Sequence, residues 1–171
     1  GLALQAFELL DGNIRQAVAD GSNLPARSAM LLGSLLAGQA FANSPVAAVH
    51  ALAYPLGGHY GVPHGLSNAL MLPHVLRFNA QTCPEPYAEI AARTLPGKFK
   101  GSAQEQAEGF IGYLAQLLND IGLQPRLRDI DIPQDICPTL AADAMKQTRL
   151  LVNNPRPVTE EDALRIYEAA W

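Results

Sequence analysis

From Ser28 to Leu76 the chain carries no Asp, Glu, Lys or Arg, and all four of its histidines, His50, His59, His64 and His74, lie inside that stretch. A run of that length without charge is put away from water either inside protein or inside a membrane. Gly33, Gln39, Asn43, Pro45, His50, Pro55, Gly57 and Gly58 break it well short of the roughly 18 to 20 continuous apolar residues that a spanning helix requires. The expectation is therefore buried protein, the dry centre of a fold built around imidazoles.

The bulk composition agrees. Of 171 residues, 49% are hydrophobic and only 16% are charged, against about 25% charged in an ordinary domain. That balance points to one compact domain, residues 1–171, with a large core or a sizeable buried interface. The net charge of -4 and the lack of a basic or aromatic-studded stripe argue against a nucleic-acid partner. Cys83 and Cys137 stand far apart without metal-type spacing and read as reduced thiols, which fits a cytoplasmic protein. The opening residues have neither the positive start nor the cleavage site of a signal peptide. They read as helix entered without a cap.

Apolar spacing is helical almost throughout, so the expected class is all-α. Ala107, Phe110, Ile111, Leu114, Leu117, Leu118 and Ile121 recur at steps of three and four, and Gly122 with Pro125 ends that helix. Leu4, Phe7, Leu10, Ile14 and Val18 repeat the pattern up to about Asp20. Pro25 to Asn43 is apolar or small on every side, which predicts a central helix surrounded by neighbours. Ser44 and Pro45 predict the cap and first turn of a helix reaching about Gly57, with a reversal at Gly57-Gly58. Pro63 opens the next helix at His64, and Pro73 is expected to bend or end it. Further helices are expected over Glu85 to Leu95, Pro133 to Thr148, and Thr159 to Ala170, the last with Glu160, Glu161 and Asp162 in its first turn. Residues 96–102 read as an exposed loop.

His50 and Tyr54 are four apart and share a helix face. A reversal after Gly58 can bring His64, in the first turn of the following helix, to the same point. Metal binding needs neutral imidazoles on rigid supports, and the positive end of a helix dipole favours a neutral ring at His64. The alternative is that each is a hydrogen-bonded core histidine. His74 reads as a structural or capping group, and His59 as part of a mobile or closely approached turn. Two histidines fall short of the three or more protein ligands of a catalytic zinc or ferrous site. The acids nearest the window, Asp20 and Glu85, offer nothing at helical spacing to them.

The run His50-Ala-Leu-Ala-Tyr54-Pro-Leu-Gly-Gly58-His59-Tyr-Gly-Val-Pro63-His64-Gly65-Leu-Ser-Asn68, continuing through Pro73-His74 to Arg77-Phe-Asn79, resembles the C-terminal signature of the iron-containing (group III) alcohol dehydrogenases. Gly122 to Asp129 and Asn154-Pro155-Arg156-Pro157 agree with it, so the similarity covers essentially the whole chain. The resemblance implies the helical domain of the dehydroquinate synthase-like fold, with the dinucleotide-binding α/β domain of the family lying outside this sequence. It implies His50 and His64 as two ligands of a divalent metal, Fe2+ or Zn2+. The remaining Asp and His ligands of the family have no counterpart here. Many members carry a histidine where this chain has Tyr54; a phenol, with a reference pKa of about 10, is a poor general base, so Tyr54 is expected at most to line the pocket. The implied activity is NAD- or NADP-linked interconversion of a small alcohol and an aldehyde or ketone, and residues 1–171 alone are expected to be inactive. Self-association, as a homo-oligomer or through apolar surface left uncovered, is expected as well.

Two other readings stand beside it. A maleylacetate reductase-like keto-acid reductase keeps the enzyme class, although such relatives tend to depart from the Pro63-His64-Gly65 form. A non-catalytic helical interaction module would use the histidines only to satisfy one another and the backbone.

Overall fold

The computed structural model describes residues 1–171, and every regular element in it is helical. In chain order these are α1 (Leu2–Ala19), α2 (Leu24–Asn43), α3 (Ala48–Tyr60), α4 (His64–Ala80), α5 (Glu85–Thr94), α6 (Ala103–Asp120), α7 (Cys137–Ala144), α8 (Thr148–Leu151) and α9 (Glu160–Ala170). Two 3-10 turns, Leu127–Ile130 and Gln134–Ile136, lead from α6 into α7. None of the helices is long and apolar enough to cross a membrane.

The principal core lies between α3, α4, α7 and α9. Leu52 and Leu56 of α3, Leu70 and Met71 of α4, Leu140 of α7 and Tyr167 of α9 are fully buried together, and Leu127 and Ile132 close the layer from the connecting turns. At about 1.5 to 3 kcal/mol for each large apolar side chain buried, this packing dominates the stability. A second layer stands on the other side of α4. There Ala80 meets Ala107 and Ile111 of α6, while Phe110 and Leu114 of α6 pack with Ala91 of α5 and Phe7 of α1.

Helix ends follow local chemistry where the sequence supplies it. Ser102 and Glu105 form a reciprocal capping box at the start of α6, and Thr159 and Asp162 do the same for α9. The start of α9 at Thr159 lies where the sequence places it.

Five sequence expectations need correction. The Pro25–Asn43 helix is peripheral: only Ala26 and Gly33 of α2 are buried, and Leu31 is 75% and Leu35 57% exposed. Within this chain α2 packs chiefly on α1, where a Cβ at Gly33 would stand 2.8 Å from Leu10 Cγ. That close approach explains the glycine, and the outer leucines of α2 are left largely exposed in this chain. Ser44 ends α2 instead of opening α3, whose first residue is Ala48. α3 runs on through Gly57 and Gly58 to Tyr60, and the reversal falls at Gly61, which takes the left-handed conformation at φ 63°. Pro73 neither ends nor divides α4. A helix-interior proline costs about 3 kcal/mol, and burial of Leu70, Met71, Val75 and Phe78 on the same helix offsets it. The stretch Pro133 to Thr148 is broken into a 3-10 turn, α7 and the start of α8.

Inside the core, the Tyr167 hydroxyl donates to the Leu52 carbonyl oxygen at 2.6 Å. It reaches the turn of α3 in which Pro55 withholds an N–H. Burial pushes the Tyr167 phenol far above its ordinary pKa, so it remains a donor at any working pH. Tyr167→Phe should cost about 1 to 2 kcal/mol. Urea unfolding should show a lower midpoint at unchanged m-value; an unchanged midpoint would mean that the bond adds nothing to stability.

Candidate metal centre

His50 sits in the first turn of α3 and His64 is the first residue of α4, so the α3–α4 hairpin carries both. Their distance depends on the tight reversal at Gly61 to Pro63 and on the Leu52, Leu56, Leu70 and Met71 packing that aligns the two helices. The ring centroids are 5.3 Å apart and the planes are tilted by 56°. Two imidazoles bound tetrahedrally to one ion, each at about 2.1 Å from nitrogen to metal, would hold their ring centres about 5 Å apart. The observed separation fits that requirement.

His50 is half-buried, whereas His64 is exposed. Burial first, and the neighbouring His64 second, hold His50 below the ordinary histidine pKa. A neutral ring with a free lone pair is the form that a cation accepts. The imidazoles thus stand at the rim of the fold, not in its dry centre as the charge-free window suggests. No third His, Cys, Asp or Glu of this chain joins them.

Tyr54, one turn after His50, completes the cluster. Its ring lies 6.5 Å from His50 and 6.1 Å from His64, and it is 42% exposed. It therefore flanks the pair on the open side.

Sequence reasoning passed over Asn68. One turn after His64, its Nδ2 donates to the His64 carbonyl oxygen at 2.9 Å and stands 3.2 Å from His64 Nε2. Its Oδ1 is buried without a partner. The i, i+4 spacing from His64 was the available signal. From His50 and Asn68 an apolar groove runs along Leu72 and Leu76 to Tyr87.

The other two histidines lie elsewhere. His59, in the last turn of α3, meets Asp143 of α7 at 2.6 Å, and Lys146 pairs with the same carboxylate. Those partners hold Asp143 below the usual carboxylate range, Lys146 more than His59. His59 is thus a link between α3 and α7 and no part of a loose turn. His74 faces a separate cleft between α4 and α9.

Residues 1–171 match the family described as Fe-containing alcohol dehydrogenase family, C-terminal. This chain belongs to the iron-containing alcohol dehydrogenase family. It is 41% identical over 171 residues to the long-chain-alcohol dehydrogenase 1 of Geobacillus thermodenitrificans (strain NG80-2), an alignment covering 100% of this chain and 43% of that protein. The crystal structure of a 1,3-propanediol oxidoreductase superposes with a TM-score of 0.93 at 41% identity, over 99% of this chain and 44% of the other. A sulfoacetaldehyde reductase from Bifidobacterium kashiwanohense, solved in complex with NAD+, superposes with a TM-score of 0.79 at 26% identity, over 99% of this chain and 42% of the other. The chain therefore spans less than half the length of these relatives. The family assignment and the all-α fold read from the sequence are both upheld.

His74 gives a pH dependence separate from the His50–His64 pair. Burial, reinforced by the positive charge of Arg77, lowers it from 6.5 to about 4. Between those values the unfolded chain binds the proton that the folded chain refuses. Stability is then full above about pH 6.5 and falls as the pH drops toward 4, by at most about 3 kcal/mol. His74→Gln should flatten this limb of the stability-pH curve; an unchanged slope would show that His74 is not its source.

Proposed function

We propose that this chain forms the helical, metal-holding wall of a metal-dependent, NAD(P)-linked alcohol dehydrogenase, with the dinucleotide held mainly by residues outside it. The observation that carries the reading is the 5.3 Å approach of the His50 and His64 rings on one rigid hairpin. Family membership over the whole chain supports it, as does the NAD+ complex of a relative.

In this reading His50 and His64 supply two neutral nitrogens to a divalent ion, Fe2+ or Zn2+. When bound, such an ion polarises the oxygen of the alcohol or carbonyl substrate. The hairpin core keeps the two imidazoles in place, so that little reorganisation is needed at the moment of reaction. Asn68 holds the first turn of α4 against His64. Tyr54 lines the open side and limits the shape of the alcohol or aldehyde that can approach.

In the full-length protein, His50→Ala and His64→Ala should each abolish stoichiometric metal and reduce kcat by more than about 100-fold, beyond the loss typical of an outer partner. Metal retained at wild-type stoichiometry in either variant would leave a structural role only. Assays with simple alcohols and with keto acids should favour the alcohols; a reversed preference would move the protein to the keto-acid reductases.

Tyr54→Phe tests the pocket-lining role. It should change KM among alcohols of different size while kcat stays within about tenfold, below the 100-fold or more that a general base is worth. A larger loss of kcat together with an altered pH profile would make Tyr54 a proton-transfer group.

A further inference from the structure

The second half of α4 and the face of α9 enclose a cleft of about 400 Å³ that shares no lining residue with the groove at His50. Three arginines, Arg77, Arg156 and Arg165, line it, with Asp162 as the one carboxylate of its wall. Phe78 and Ile166 supply apolar surface, and the half-buried His74 lies on the α4 side. We propose that this cleft binds a dianionic oxyanion, either inorganic phosphate or the phosphate of a small ester.

The arginines are oriented by contacts that leave donors available. Arg156 lies over the Phe78 ring at 3.7 Å and uses Nη1 on the Phe78 carbonyl and the Gln81 Oε1. Its Nε and Nη2 make no hydrogen bond within the chain. Arg77 uses Nε on Glu108 Oε1, a carboxylate outside the wall of the cleft, and its two terminal nitrogens remain free. Arg165 uses Nη2 on Asp162 Oδ1, with Glu161 farther out at 3.7 Å from Nη1. Asp162 is already engaged through Oδ2 by the Thr159 hydroxyl and N–H, so its charge serves the cap of α9 as well as Arg165. Planar guanidiniums with paired free N–H groups are suited to phosphate oxygens. The cleft volume of about 400 Å³ leaves room for the organic part of a small ester, since about 300 Å³ suffices for a small ligand.

The test is a calorimetric titration of the full-length protein with inorganic phosphate and, separately, with glycerol phosphate, against sodium chloride at matched ionic strength. Saturable binding of either anion is expected, and Arg77→Gln with Arg165→Gln should weaken it by about tenfold or more. The pair should leave coenzyme affinity and alcohol turnover unchanged, which separates this cleft from the coenzyme phosphates. Arg165→Gln alone, on the exposed face of α9, keeps the test valid should the double variant fold poorly. Equal affinity for both anions identifies phosphate itself as the ligand, and tighter binding of glycerol phosphate identifies an ester. No saturable binding beyond the chloride control, or binding unaffected by the substitutions, overturns the proposal.

Discussion

The packing of α3 against α4 is the constraint on which the rest depends. Leu52, Leu56, Leu70 and Met71 are removed from water together, and Gly61 supplies the left-handed residue that lets the chain turn within three positions. Neither imaginable shortcut, a longer loop or a looser core, would hold two imidazoles at 5.3 Å. α7 and α9 brace the hairpin from one side, with Tyr167 bonded into α3, and α6 braces it from the other. The geometry of the His50–His64 pair is therefore a by-product of core packing: both side chains sit near the outer ends of helices whose middles are buried. This division suits a binding site, because rigidity comes from residues that take no part in the chemistry.

Most of the helical plan was legible from apolar spacing, and the start of α9 at Thr159 with its acidic first turn was read residue by residue. What failed has common physical causes. α2 carries apolar residues all round, a pattern that signals burial without saying what does the burying; its outer leucines, Leu31 and Leu35, are mostly exposed in this chain. Pro73 reads locally as a break, but tertiary burial on both sides of it outweighs the lost N–H. Gly57 and Gly58 read as a turn, yet only Gly61 has the positive φ that a turn needed. Local signals set preferences of about 1 to 3 kcal/mol, and packing over several turns exceeds that.

The site was legible in part. The charge-free window and the spacing of His50 and His64 pointed to two helices that do bring these imidazoles together, and the resemblance of the whole run supplied the family. Burial of the imidazoles was misjudged, since a window average cannot show that His59 and His64 fall at helix ends facing outward. Asn68 was overlooked because an uncharged amide in a polar first turn looks unremarkable until its oxygen is found without a partner. The pairing of His59 with Asp143 spans 84 residues, and no local pattern encodes it.

Asn79, almost fully buried at the end of α4, exchanges two hydrogen bonds with Asn154, at 3.1 and 2.8 Å. This joins the helix to the segment leading into α9. Replacement of either amide by a carboxylate would set two acceptors face to face, so spontaneous deamidation is the chemical ageing to which such a joint is exposed. Asn154 is followed by Pro155, whose nitrogen has no hydrogen to lose. The usual ring closure through the next backbone nitrogen is therefore shut at that residue, so Asn154, unlike Asn79 before Ala80, is spared that route as the protein grows old.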